Sequence, residues 1–274
     1  MPWKEGGLPC ASEATYSKLN ELSATPTIYC QLCRMFIAVE IGNTTAKLGR
    51  FSADRLEEVR FLPAKDFDAI TFILGQWQAR SEEETLFYGV ASGDTAGLND
   101  LPIRWLNEGF KWPFELAYET PNTLGVDRLL VTAAAYLTYG DGLLVVSAGT
   151  CITYNVVSGG QFLGGAISPG WDMRYAAMQE FTHALPRAKK TTHAKLLGTN
   201  TLGSLHAGVD CALPLEVEAM IQAYVDAFSI EHVLICGGDS PALEEHIKKY
   251  IFAPSNYELL ALQLLYANET NKSH

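Results

Sequence analysis

Apolar and polar positions along this chain run through the same sequence of patterns twice. The first pass predicts strands over 36–41, 45–51 and 56–62. A helix follows over 67–78, where Phe67, Ile70, Ile73 and Leu74 recur at helical spacing. The pattern then predicts a strand over 84–90, a helix over 98–108 and a short strand over 114–118. An Ala- and Leu-rich helix over 123–139 follows, with Thr123 as its cap and Gly140 as its stop. The second pass restarts with strands over 143–146, 152–157 and 161–167. Helices are expected over 171–185 and 201–228, the latter broken near Pro214. A buried strand over 233–236 and helices over 241–250 and 258–268 close the chain. Strands then helices, twice, predict an α/β protein of two related lobes with a cleft between them. The sequence divides into a first lobe over 35–120 and a second over 121–274.

Each pass opens on a strand followed by a tight glycine turn. The first is Glu40-Ile-Gly-Asn-Thr-Thr-Ala-Lys47 and the second Ser147-Ala-Gly-Thr-Cys-Ile-Thr153. A strand, a Gly-Asn or Gly-Thr turn and a return strand form a small cradle of backbone N–H groups, which suits phosphate oxygens. Either turn alone is also what an ordinary hairpin would contain. Two of them facing one cleft would clamp a nucleotide.

Composition narrows the partners. The 274 residues are 48% hydrophobic, enough for a substantial core. A net charge of −11 argues against nucleic acid or an anionic membrane surface. No uncharged apolar run approaches the roughly 20 residues of a membrane span. Cys151 and Cys236 sit in apolar or Gly-rich strand contexts, as small buried hydrophobes of a cytoplasmic protein do. Residues 1–34 have no sustained period and lack the basic start and apolar centre of a secretory signal. They read as a disordered extension, with Met35 the expected natural start. Cys30 and Cys33 within it have metal or redox spacing but no second pair. The histidines form no paired ligand spacing.

Several side chains can carry chemistry. Lys47 can reach a β- or γ-phosphate as a point charge. Glu40, at a strand end, can hold Mg²⁺ directly or through water. Gly125-Val-Asp-Arg128 opens the strongest helix. Asp127 there can accept a hydroxyl proton and Arg128 can bind a carboxylate or phosphate. An acid in a first helical turn is also favoured by the helix dipole alone. Gly164-Gly165-Ala-Ile-Ser-Pro-Gly170 and Gly237-Gly238-Asp239 permit close approach of a ligand, or are plain turns.

Together these segments resemble type III pantothenate kinase, of the actin-like, Hsp70-like ATPase superfamily. The resemblance runs through Glu40–Lys47, Gly125–Arg128, Ser147–Thr153, Gly164–Gly170, Arg174 with Thr182-His-Ala-Leu-Pro186, Leu197-Gly-Thr-Asn-Thr201 and Gly237-Gly238. It implies two actin-like (ribonuclease H-like) lobes with mixed sheets flanked by helices. It implies ATP-dependent phosphorylation of pantothenate to 4'-phosphopantothenate, the first step of coenzyme A synthesis. On this likeness Asp127 is the proton acceptor, and Gly125, Val126, Arg128 and Thr201 bind pantothenate. Glu40, Ile41, Gly42, Asn43, Thr44, Thr45, Ala46, Lys47 and Thr150 hold ATP, with Mg²⁺ at Glu40. A homodimer is implied, with the substrate site near the interface.

Three positions depart from the family pattern. Glu40 and Ser147 each stand where the family has Asp, and Asn155 stands where an acid is common. The Asp replaced by Ser147 binds a monovalent cation, K⁺ or NH₄⁺, in the family, and a neutral serine removes that ion's main anionic partner. The departures motivate one alternative: a catalytically weak relative that binds nucleotide or pantothenate and acts through a partner. A sugar kinase of the same superfamily is a further alternative, disfavoured by the Gly-Val-Asp-Arg motif.

Overall fold

The computed structural model describes residues 35–52, 55–81, 84–107 and 109–271. The expectations for residues 1–34, including Cys30 and Cys33, lie outside the described residues. In chain order the elements are β1 (Met35–Ile41), β2 (Thr45–Ser52), β3 (Arg55–Pro63), α1 (Phe67–Ala79), β4 (Thr85–Ala91), β5 (Ile103–Trp105) and β6 (Glu115–Leu116). Then follow α2 (Val126–Tyr139), β7 (Leu143–Ala148), β8 (Cys151–Ser158), β9 (Gln161–Pro169), α3 (Trp171–Glu180), α4 (Thr201–His206) and α5 (Ala212–Ala227). The chain closes with β10 (His232–Cys236), α6 (Ser240–Glu244), β11 (Ile251–Phe252) and α7 (Tyr257–Asn271).

The repeat seen in the sequence is a repeat of topology. One sheet runs β3-β2-β1-β4-β5, and the other runs β11-β10-β7-β8-β9-β6. In each, the opening three strands form an antiparallel meander, the next strand pairs in parallel with the opener, and a further strand pairs in parallel with that one. The second sheet adds only β6, paired with β9. Two segments cross the sequence boundary between residues 120 and 121: β6 belongs to the second sheet, and α7 packs on the first.

Strand periodicity sorts the core into layers. Ile37, Val39 and Ile41 of β1 face α1, whose Ile70, Leu74 and Trp77 are buried against them. Phe36 and Ala38 face the other way, into a middle layer made by α2 and α7. Likewise Leu143 and Val145 of β7 face that middle layer, while Leu144 and Val146 face α3 to α6. Glu40 continues the Phe36–Ala38 series and Ser147 the Leu143–Val145 series. Both therefore stand on the sides of the sheets that face each other.

Local expectations failed where a few residues override the period. The expected helix over 98–108 is instead a 3-10 turn at Ala96–Leu98 followed by β5. Pro102 removes an N–H and drives the preceding residue out of the helical region. Thr123 lies in a 3-10 turn, and Gly125 is the cap of α2. Gly140, with φ 85°, does end that helix. The helix expected over 171–185 stops at Glu180, and the one over 241–250 is the shorter α6. The long helix over 201–228 is interrupted by a π segment at Ala207–Cys211, just ahead of Pro214. Pro214 follows that segment closely and has no N–H to donate back to its carbonyls, which suits the widened turn there.

Candidate active site

Both glycine turns are braced in the same way. In the first, Gly42 N–H donates to Thr45 O at 3.0 Å, and Glu40 pairs across the hairpin with Lys47. Asn43 and Thr44 are exposed at its tip. The loop after β4 closes on it: Ser92 and Gly93 N–H both donate to Ile41 O, at 2.9 and 3.1 Å. A Cβ on Gly93 would sit 2.2 Å from Gly42 O, so only glycine permits this approach. In the second turn, Gly149 N–H donates to Cys151 O at 3.0 Å, with Thr150 exposed. The loop after β10 closes on it, Asp239 N–H donating to Ala148 O at 2.9 Å. Gly237, with φ 95°, would place a Cβ 2.3 Å from that same oxygen. Gly93 and Gly237 thus occupy equivalent places in the two lobes.

The charges gather at the first turn. Lys47 Nζ lies 3.1 Å from Glu40 Oε2 and 3.1 Å from Glu258 Oε2, the latter an aligned hydrogen bond from the first turn of α7. Burial pushes the Glu40 carboxyl above its ordinary value; Lys47 opposes the rise, while Glu258 and Asp127 add to it. Burial alone would lower the Lys47 ammonium, but Glu258 and Glu40 hold it above its ordinary value. Asp127 is therefore within electrostatic reach of Glu40, across the gap between α2 and the first sheet. Its Oδ1 accepts the Arg128 backbone N–H at 2.9 Å, and a Cβ on Gly125 would meet that oxygen at 2.5 Å.

Glu40 fits a divalent cation of the kind that arrives with a nucleotide. Its Oε2 is buried and, despite the nearby ammonium, has no aligned hydrogen bond. Mg²⁺ commonly takes one or two carboxylates and completes its shell with phosphate oxygens and water. No group of three or more His, Cys, Asp or Glu side chains among the described residues forms a metal cage.

The remaining candidates are placed differently. The Arg128 guanidinium is buried: Nε donates to Asn155 Oδ1 at 2.7 Å and Nη2 to Tyr154 O at 3.3 Å, beside the Phe162 ring. Asn155 in turn donates to Val145 O at 3.2 Å and Thr153 Oγ1 at 3.3 Å. The side chain ties the start of α2 to the second sheet. Ser147 is the cross-strand partner of Cys236 on β10, and burial pushes the Cys236 thiol up, with Glu258 adding to the effect. Thr201 is exposed at the first position of α4, next to Asn200, whose side chain caps Gly203 N–H at 2.7 Å. Leu205 of α4 packs behind the second sheet, whereas α2 lies in front of it.

A cavity of about 480 Å³ adjoins Lys47 and Glu258, lined also by Phe61, Gly237, Gly238 and Asn256. That volume is within the range of small-molecule sites. Glu258, Gly93 and Asn256 carried no signal in the sequence: an acid in a first helical turn and a lone loop glycine are commonplace.

Two lobes of matching strand order, with acid and lysine at the cleft, define an actin-like phosphotransferase fold. Comparison with known proteins agrees. A family model described as type III pantothenate kinase matches residues 89–223. A type III pantothenate kinase of Christiangramia forsetii is 34% identical over 237 residues, covering 84% of this chain and 97% of that one. Another, from Cytophaga hutchinsonii, is 32% identical, covering 83% and 97%. The chain belongs to the type III pantothenate kinase family. Among solved structures, a Baf family protein of Campylobacter jejuni is similar in fold, with a TM-score of 0.52 at 20% identity, covering 87% of this chain and all of that one. The activator of 2-hydroxyisocaproyl-CoA dehydratase from Clostridium difficile, with bound ADPNP, gives 0.51 at 10% identity, covering 88% and 98%.

Proposed function

We propose that this chain transfers the γ-phosphoryl group of ATP to the primary hydroxyl of pantothenate, with Asp127 as the proton acceptor. The observation that carries the assignment is the position of Asp127. It stands in the first turn of α2, the helix packed in the layer between the two sheets, on the side of the first sheet that Glu40 occupies. Phosphoryl transfer asks mainly for positioning and charge neutralisation. The exposed tip of the turn, Asn43 and Thr44 between Gly42 and Thr45, offers N–H and hydroxyl groups to phosphate oxygens, with Thr150 opposite and Lys47 as the cation. Ile41 and Ala46 anchor that turn in the core of the first lobe. Mg²⁺ held at Glu40 supplies neutralisation of phosphate charge. Gly125 and Val126 leave room beside Asp127 for the acceptor. Arg128 acts by anchoring this helix end and adds positive potential behind the pantothenate site.

The same reading makes the reaction independent of K⁺ or NH₄⁺. Ser147 brings no charge, and the Asn155 amide is engaged by Arg128 and Val145. Thr201 lies in a different layer from Asp127. Leu196, Leu197 and Leu202, near Thr201 in the sequence, are exposed apolar side chains, as are Ile167 and Phe181 of the same lobe. A homodimer that covers them is part of the proposal, as is a cytoplasmic location. Among the described residues no helix is long and apolar enough to cross a membrane.

The test is product formation. Purified protein with ATP, Mg²⁺ and pantothenate is followed by mass spectrometry, with and without K⁺. Pantothenate gaining one phosphate at equal rates in both conditions is expected. Absence of that product from folded protein contradicts the function, and product only with K⁺ contradicts the cation-free reading.

A further inference from the structure

We propose that Glu258 is a positioning residue for the reaction, setting the aim of Lys47 from the C-terminal helix. The proposal rests on Lys47 being an ATP ligand.

Two carboxylates flank the Lys47 ammonium at the same 3.1 Å, but they are not equivalent. Glu40 is the cross-strand partner of Lys47 in one hairpin, and its Oε2 lacks hydrogen-bond alignment. The aligned bond goes to Glu258, 211 residues away along the chain. A lysine side chain is a flexible stem with three rotatable donors. One in-line bond to Glu258 restrains the stem and leaves donors for Glu40 and a phosphate oxygen. Restraining a ligand-binding side chain in advance lowers the entropy lost on binding.

The source of the restraint also matters. Glu258 follows β11, the edge of the second sheet, through Asn256, whose φ of 61° turns the chain into α7. Gly237, Gly238, Asn256, Glu258 and Lys47 line one cavity. The lysine of the first lobe is thus aimed by a helix entering from the nucleotide-facing loops of the second. Ser147, at the end of β7, contributes a hydroxyl and no charge there. Docking of α7 does not depend on Glu258. The far end of the helix is fastened by Glu269, which accepts from Tyr88 Oη and Arg104 Nη2, both at 2.5 Å, and Leu259, Leu262 and Leu265 are buried.

Steady-state kinetics of Glu258→Gln, Glu258→Asp, Lys47→Met and the double variant Lys47→Met/Glu258→Gln test the proposal. Glu258→Gln is expected to raise KM for ATP about ten-fold while leaving KM for pantothenate unchanged. Its unfolding midpoint stays within about 2 °C of wild type. Glu258→Asp, which keeps the charge, recovers most of the ATP affinity. Lys47→Met raises KM for ATP, and adding Glu258→Gln to it raises KM no further. The proposal is overturned if Glu258→Gln leaves KM for ATP unchanged, or raises it by the same factor with and without Lys47. If Lys47→Met itself leaves KM for ATP unchanged, the assignment of Lys47 to ATP falls, and the role of Glu258 falls with it.

Discussion

At the scale of single residues, the site depends on places where one atom more would not fit. Gly93 is the clearest. An added methyl would stand 2.2 Å from Gly42 O, so the loop after β4 must back away from the first turn. Gly93→Ala is expected to cost about 1–3 kcal/mol of stability in denaturant unfolding and to raise KM for ATP. Unchanged values for both would mean that the turn does not need this brace. Glu40 makes a second prediction. Glu40→Gln keeps the shape and removes the charge beside Lys47, so the Mg²⁺ concentration giving half-maximal turnover should rise. An unchanged Mg²⁺ dependence would remove Glu40 from the metal site. Residue types that announce themselves in a sequence are those with short-range consequences. Gly42 and Gly149 stand out because each interrupts two strand-like runs. Gly93 does not, because its reason for being glycine lies in another loop.

At the scale of elements, the strands were legible and several helices were not. The alternation in β1 and β7 sets which residues face the middle layer, and so puts Glu40 and Ser147 on opposing faces before any contact is known. Pairing of distant elements leaves no such period. β11 is two residues long and exists because β10 offers it an edge. Leu101 to Trp105 reads as a helix segment, until Pro102 and the open edge of β4 make a strand of it. The helices behind the second sheet are tied by a polar cluster that makes its own prediction. Arg174 Nη1 and Nη2 bond Glu216 at 2.8 and 2.7 Å, and Ser168 donates to the same carboxylate at 2.9 Å. The Arg174 hydrogen bonds, foremost, hold the Glu216 carboxyl below its ordinary value of 4.5, against the opposing effect of burial. A carboxyl depressed in the folded state stabilises it above the unfolded value and loses that contribution as pH falls through the folded one. Wild type should therefore lose midpoint temperature on acidification from about pH 6 to about pH 3 more steeply than Glu216→Gln. Parallel curves would show that the pair contributes nothing, as many half-exposed pairs do.

At the scale of the whole molecule, a duplicated five-strand topology places two braced turns at one cleft, and α2 and α7 fill the layer between the sheets. The doubling was legible because hydrophobic period survives in both halves. The hydrogen bond from Lys47 to Glu258 was not, because it joins residues 211 apart. The exposed apolar side chains of the second lobe predict a dimer in sedimentation equilibrium, and Phe181→Ser with Leu197→Ser should shift it toward monomer. A wild-type monomer at micromolar concentration would contradict the assembly. The central claim, that Asp127 takes the proton from pantothenate, is tested most directly by Asp127→Asn. Pantothenate-dependent ADP release and ATP binding are measured on the same preparation. Turnover should fall about a hundred- to ten-thousand-fold, with ATP binding and the unfolding midpoint close to wild type. Full turnover by Asp127→Asn would contradict the account.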